Sequence, residues 1–254
     1  MTPTPPPEAA PRLEVSGLEV AFGGLKALDE VSFEVGDGET VALIGPNGAG
    51  KTTVFNAVCA LVQPRRGAVR IGGRPAPAAT TGLAAAGVSR TLQGLGLFDR
   101  MTVLENVMVP LSSLRGRAAD KAAKARAVLS ELDLASLAAH PAATLPYPER
   151  KRVALARALV TDPKLLLLDE PAGGLGAADI EALAATVRAV AAGGCAVLLV
   201  EHHVDFVMDV ADRVVVLDFG KVIAAGEPDA VRDDPAVEAA YLGLEARTDR
   251  EGVQ

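Results

Sequence analysis

An apolar segment stopped at Gly45 with a helix pattern behind it, and a C-terminal half in which strands alternate with helices, predict an α/β chain with a mostly parallel sheet. A chain of 254 residues with 50% hydrophobic content buries one large core more readily than two equal ones.

Residues 1–11 are proline-rich with little to pack, and residues 245–254 are polar, so both are expected to be disordered tails around one domain over residues 12–244. Residues 13–20 and 31–35 alternate like half-buried strands, while 41–44 is a continuous apolar run suited to a buried central strand. A helix follows from Lys51. Residues 69–71, closed by Gly72 and Gly73, predict a further strand, and residues 104–110 and 118–132 read as helices in a strand-poor stretch. From residue 153 the order is helix, strand 165–168, helix 179–192, strand 196–200, helix 204–211 and a strand pair over 214–224.

Charge and cysteine content exclude several classes. Twenty-five basic residues against 32 acidic ones give a net charge of −7, which disfavours a nucleic-acid surface. Cys59 and Cys195 are far apart, residues 1–11 lack the apolar core of a signal peptide, and the cytosol is the expected compartment. The apolar runs at 153–160, 165–168 and 196–200 are shorter than the roughly 20 residues a membrane-spanning helix needs.

Gly45, Pro46, Asn47, Gly48, Ala49, Gly50, Lys51 and Thr52, followed by Thr53, fit the pattern GxxxxGK[ST] between a strand and a helix. Glycines there let backbone N–H groups wrap phosphates beside a helix N-terminus, Lys51 reaches the β and γ phosphates, and the Thr52 hydroxyl ligates Mg²⁺. The expectation is a nucleoside triphosphate bound with Mg²⁺. Asp169 and Glu170 end a buried strand, where open α/β sheets place their chemistry. Asp169 is expected to anchor Mg²⁺ through water, and Glu170 to orient and deprotonate an attacking water.

With Gln93 and His202 in the same order along the chain, these residues resemble the ATP-binding-cassette (ABC) ATPases over about residues 13–243. The resemblance implies a P-loop NTPase fold of the ABC type, a mostly parallel core with an antiparallel β subdomain and a helical insertion at about residues 94–143. It implies that Gln93 binds Mg²⁺ and senses the transporter, that His202 contacts the γ-phosphate, and that Phe22 stacks on adenine. His203 stands where relatives usually carry aspartate and receives no role. Segments 22–28, 97–106 and 234–243, with the pair Glu201 and His202, resemble the branched-chain amino acid importer branch, whose members take up branched-chain amino acids, urea or short amides. The partners implied are a second ATPase subunit, as a heterodimer or homodimer, two membrane-spanning permease subunits and, indirectly, a solute-binding protein. The chain would then be peripheral on the inner face of the cell membrane.

One loop departs from the family. The signature LSGGQ aligns with Leu145, Pro146, Tyr147, Pro148 and Glu149, so the hydroxyl is lost at Pro146, an N–H is lost at Pro148, and Glu149 adds negative charge. Gly176 replaces an Asn or Asp that relatives use across the dimer. The resulting expectation is one competent and one degenerate site, with an ATP-binding regulatory or assembly module of little turnover as the alternative. Asp218, Phe219 and Gly220 copy a kinase motif, but strand patterns on both sides predict a hairpin turn. Arg115, Arg117, Lys121, Lys124 and Arg126 predict a solvated helix face.

Overall fold

The computed structural model describes residues 10–91 and 94–240. The two N-terminal alternating segments pair antiparallel as β1 (Leu13–Phe22) and β2 (Leu25–Val35). β2 begins six residues before the expected position, because Glu30 adopts a positive φ of 56° and breaks the period on which the alternation was read. β3 (Thr40–Ile44) is buried at every position and leads through the glycine loop into α1 (Lys51–Val58). β4 (Arg66–Ile71) and the short β5 (Arg74–Pro75) complete a four-stranded antiparallel sheet of order β2-β1-β4-β5.

β6 (Val88–Arg90) is followed by the helices α2 (Val103–Met108) and α3 (Ala118–Glu131). The segment expected as one helix over 104–110 tightens after Met108 into a 3-10 turn at Val109–Ser113, which suits Pro110 because that residue has no N–H for the α-helical ladder. α4 (Tyr147–Leu159) starts six residues ahead of the apolar pattern that predicted it. β7 (Leu165–Asp169), α5 (Ala177–Ala192), β8 (Ala196–Val200), α6 (Val204–Val210), β9 (Arg213–Asp218), β10 (Lys221–Gly226) and α7 (Pro228–Arg232) follow.

The larger sheet has the order β10-β9-β3-β8-β7-β6, parallel except for β10. Its alternating side chains divide the core. Val41, Leu43, Leu165, Leu167 and Leu198 pack with α1 and the antiparallel sheet, whereas Ala42, Leu166, Leu168, Val197 and Leu199 pack beneath the helices on the other face. Phe219 and Gly220 form the two-residue turn between β9 and β10, both with positive φ, 42° and 78°. Of the basic residues expected on one helix face, Arg115 and Arg117 precede α3, and Lys121, Lys124 and Arg126 lie on it, with Arg117 paired to Asp120 and Lys124 to Asp162. Among the described residues no helix is long and apolar enough to cross a membrane.

Candidate functional site

The parallel strands β3, β7 and β8 end along one edge, and the candidate residues follow those ends. Gly45 leaves β3 with φ 145°, and a Cβ there would stand 2.0 Å from the Leu217 carbonyl oxygen, so no side chain fits. Gly48 and Gly50 also have positive φ, 83° and 106°, and Gly50 lies against Ala27 and Leu28 of β2. The loop is tied to the hairpin turn as well, since Gly220 N–H donates to the Ala49 carbonyl at 2.9 Å and Asp29 N–H donates to the Gly220 carbonyl at 2.8 Å. Asn47 and Gly48 face solvent, while Pro46 and Ala49 are buried. α1 then presents the amides of Lys51, Thr52 and Thr53, which in any first helical turn find no carbonyl inside the helix.

Lys51 is buried, and its ammonium donates to the carbonyl oxygens of Gly45 at 2.6 Å and Pro46 at 2.9 Å. Burial lowers its pKa and the charge of Glu170 opposes that shift. The Lys51 head group is therefore held inside the loop that it must serve. Thr52 is exposed. Phe22 closes β1 with 52% of its surface exposed, so its ring is open to a ligand.

Asp169 ends β7 half-buried, and its pKa is raised by that burial and by the adjacent Glu170 charge, with Arg90 opposing. Its N–H donates weakly to the hydroxyl of Thr91, the residue after β6, at 3.4 Å. Gln93 itself lies outside the described residues. Glu170 has a positive φ of 47°, held by its N–H on the Val200 carbonyl at 2.9 Å and by the Lys151 ammonium on its own carbonyl at 3.0 Å. His202 Nδ1 stands 3.9 Å from Glu170 Oε1 and 3.5 Å from Glu201 Oε2. The structure thus brings Glu170 and His202 together from two different strand ends.

Among the described residues no group of three or more His, Cys, Asp or Glu could cage a metal. Thr52 and Asp169 instead supply a hydroxyl and one carboxylate, the sparse donor set that suits Mg²⁺ held jointly by protein, water and phosphate.

At the tip of α4, Pro146 is the N-cap with no side-chain cap, and Pro148 sits in the first turn. Glu149 lies there too, paired with Arg152 at 3.2 Å, so the first turn of the helix carries its own carboxylate. The Tyr147 ring packs within 3.0 Å of where a Cβ on Gly174 would stand, and the Lys151 ammonium is 5.5 Å above it. Gly176 caps α5 without a side chain. Residues to which sequence reasoning gave no role at the site are Lys151, the buried Glu201, named only for its resemblance, and Arg157, which donates to the carbonyls of Leu95 and Gly96 at 2.6 Å each, just past Gln93. Only Glu201 had a visible signal, a carboxylate directly before two histidines.

Comparison with known proteins decides the family. Residues 28–173, more than half of the chain, match the ABC transporter family. The chain belongs to the ABC transporter ATP-binding family. It is accordingly an ATPase of the ABC type. It is 39% identical over 252 residues to the high-affinity branched-chain amino acid transport ATP-binding protein BraF of Pseudomonas aeruginosa, covering 92% of this chain and 98% of that one. Identity to LivG of Escherichia coli, which carries the same description, is 35% with the same coverage. LptB of Acidithiobacillus ferridurans, a lipopolysaccharide export ATP-binding protein, is 36% identical over 232 residues, covering 91% of this chain and 96% of its own. A solved ABC transporter ATP-binding cassette in its ADP conformation superposes with a TM-score of 0.82 at 30% identity, over 92% of this chain and 99% of that one.

Proposed function

We propose that this chain is the ATP-hydrolysing subunit of an importer for branched-chain amino acids or related small polar solutes. The observation that carries the ATPase mechanism is the approach of His202 Nδ1 to Glu170 Oε1, 3.9 Å, at the sheet edge that also bears the glycine loop. The solute class rests on BraF and LivG, both described as branched-chain amino acid transport proteins.

In this reading the loop amides and the first turn of α1 hold the phosphates, and Lys51 exchanges the carbonyls of Gly45 and Pro46 for phosphate oxygens. Phe22 stacks on the base. Thr52, Asp169 and Gln93 would hold Mg²⁺, Asp169 through water, and the ion would neutralise charge on the phosphates. Glu170 orients and deprotonates the attacking water, and His202 donates toward the γ-phosphate. ATP binding closes a dimer with a second ATPase subunit, hydrolysis reopens it, and the helices after Gln93 carry the movement to two membrane subunits at the inner face of the membrane. A solute-binding protein acts on the far side. The dimer is asymmetric: Lys51, Glu170 and His202 meet the partner's signature, whereas Pro146, Tyr147, Pro148 and Glu149 cover the partner's nucleotide.

The test is Mg²⁺-dependent ATP hydrolysis and ATP binding by the assembled complex with native Glu170 and with Glu170→Gln. The variant should keep ATP binding and lose at least about 100-fold in turnover. Equal turnover in both would sink the assignment. A second reading, a nucleotide-binding regulatory subunit with little turnover, is favoured by Pro146, Pro148 and Glu149 at the tip of α4. It predicts that Glu170→Gln changes neither hydrolysis nor transport.

A further inference from the structure

Glu201 is fully buried just past the end of β8, yet among the described residues no lysine or arginine bonds to it. Its Oε1 accepts the Ala172 N–H at 2.8 Å, and its Oε2 accepts the N–H groups of His202 at 2.7 Å and His203 at 3.1 Å. The three donors belong to two loops, one leaving β7 behind Glu170 and one leaving β8 under His202. A hydroxyl or amide could satisfy one loop; two acceptor oxygens on one rigid carboxylate satisfy both. The main chain adds a parallel tie, since the Glu170 N–H donates to the carbonyl of Val200, the residue before Glu201. Glu170 keeps its positive φ only while such contacts over-determine it.

We propose that Glu201 is a positioning residue for turnover, whose buried carboxylate locks the loop of Glu170 to the loop of His202 so that the two groups hold their separation as one unit. The inference rests on the reading of Glu170 and His202 as the hydrolytic pair. Glu201 itself is too enclosed to touch a nucleotide. It acts through the backbone on which the two reacting side chains stand, and its Oε2 also lies 3.5 Å from His202 Nδ1. A displacement of about 1 Å at such a pair is enough to cost roughly 100-fold in rate.

Glu201→Gln keeps the volume but turns one acceptor into an NH₂ group that must face a backbone N–H. Glu201→Asp keeps the charge and shortens the reach, so the carboxylate no longer spans the two loops and neither is held against the other. In the assembled transporter, Glu201→Gln should lower kcat about 10-fold or more while the ATP KM moves less than about 3-fold. The double variant with His202→Ala should be no slower than His202→Ala alone, because the two changes disable one unit. Amide hydrogen exchange on the full chain, which needs no turnover, should speed up together at residues 170, 172, 173, 202 and 203 in both Glu201 variants. The proposal is overturned by an unchanged kcat, by losses that multiply in full with His202→Ala, or by exchange that rises in one loop only. If Glu170→Gln and His202→Ala leave hydrolysis untouched, the hydrolytic reading fails, and hydrogen exchange still judges the bridge.

Discussion

The Lys151 ammonium of α4 donates to the carbonyl oxygen of Glu170 at 3.0 Å and to that of Pro171 at 2.7 Å. The helix whose tip is Pro146 to Glu149 is thereby fastened to the loop of this chain's own proposed catalytic carboxylate. Burial lowers the pKa of Lys151, and the charges of Glu201 and Glu170 pull it back.

Lys151→Met keeps most of the stem and removes the donor. Two carbonyls lose a charge-assisted partner, a loss of about 1 to 2 kcal/mol after allowing for the partial exposure of the site. A denaturant titration should show a lower midpoint with an unchanged slope. Turnover should fall further than ATP binding, because the released loop carries Glu170. A native midpoint together with native turnover would show that Lys151 is only a surface cation.

Asn106 on α2 is fully buried and builds the turn that exposes Phe98 and Met101. Its Oδ1 accepts the Phe98 N–H at 2.8 Å, and its Nδ2 donates to the carbonyls of Phe98 at 3.1 Å and Thr102 at 3.0 Å. Asn106→Ala would leave the Phe98 N–H without its partner and take one donor from each carbonyl, which keep the N–H groups of Met101 and of residue 106, at a cost of about 1 to 3 kcal/mol. Asn106→Asp should be no better, since a carboxylate cannot donate to two carbonyls. Thermal unfolding of both variants beside the native chain measures this, and an Asp variant as stable as native would contradict the assigned bonds.

What the sequence made legible follows from how each part is buried. Strands β3, β7 and β8 are enclosed on both faces, so they read as unbroken apolar runs, and the glycine loop reads as a spacing that backbone geometry demands. β6 has three residues and β5 two, too few to carry a period. The first turn of α4 is polar and partly exposed and holds Pro148, which hides a helix start from any apolar periodicity. Lys151 and Arg157 look like ordinary surface cations in sequence, because their roles lie in carbonyls 19 and 61 residues away.

Cys195 supplies a test of pH dependence. Burial pushes its thiol from 9.0 up to about 11. The folded value lies above the unfolded one, so the stabilisation it carries is complete below about pH 9 and is lost as pH rises toward about 11. In that window the free energy of unfolding should fall by up to about 1.4 kcal/mol per pH unit from this group. Cys195→Ser should flatten the decline in urea midpoints measured from pH 8.5 to 11. An equally steep decline in the variant would assign the alkaline loss to other groups.

The tip of α4 decides whether this chain can turn over ATP when paired with itself. Tyr147 and Glu149 keep their N–H groups, Pro148 has none, and Glu149 places a carboxylate in the first turn, paired with Arg152. Replacing Pro146 by Ser, Pro148 by Gly and Glu149 by Gln restores a hydroxyl and an amide and removes a charge. Each recovered charge-assisted bond contributes about 1.5 to 3 kcal/mol, so two bonds made mainly in the transition state would raise the rate by at least about 100-fold. Purified alone and with ATP binding verified in each sample, the native chain should bind ATP with little hydrolysis, and the repaired chain should hydrolyse it. Loss of that gain on adding Glu170→Gln would place the recovered chemistry at Glu170. Vigorous hydrolysis by the native chain, abolished by Glu170→Gln, would mean that the proline loop serves a self-pair and that both sites are competent.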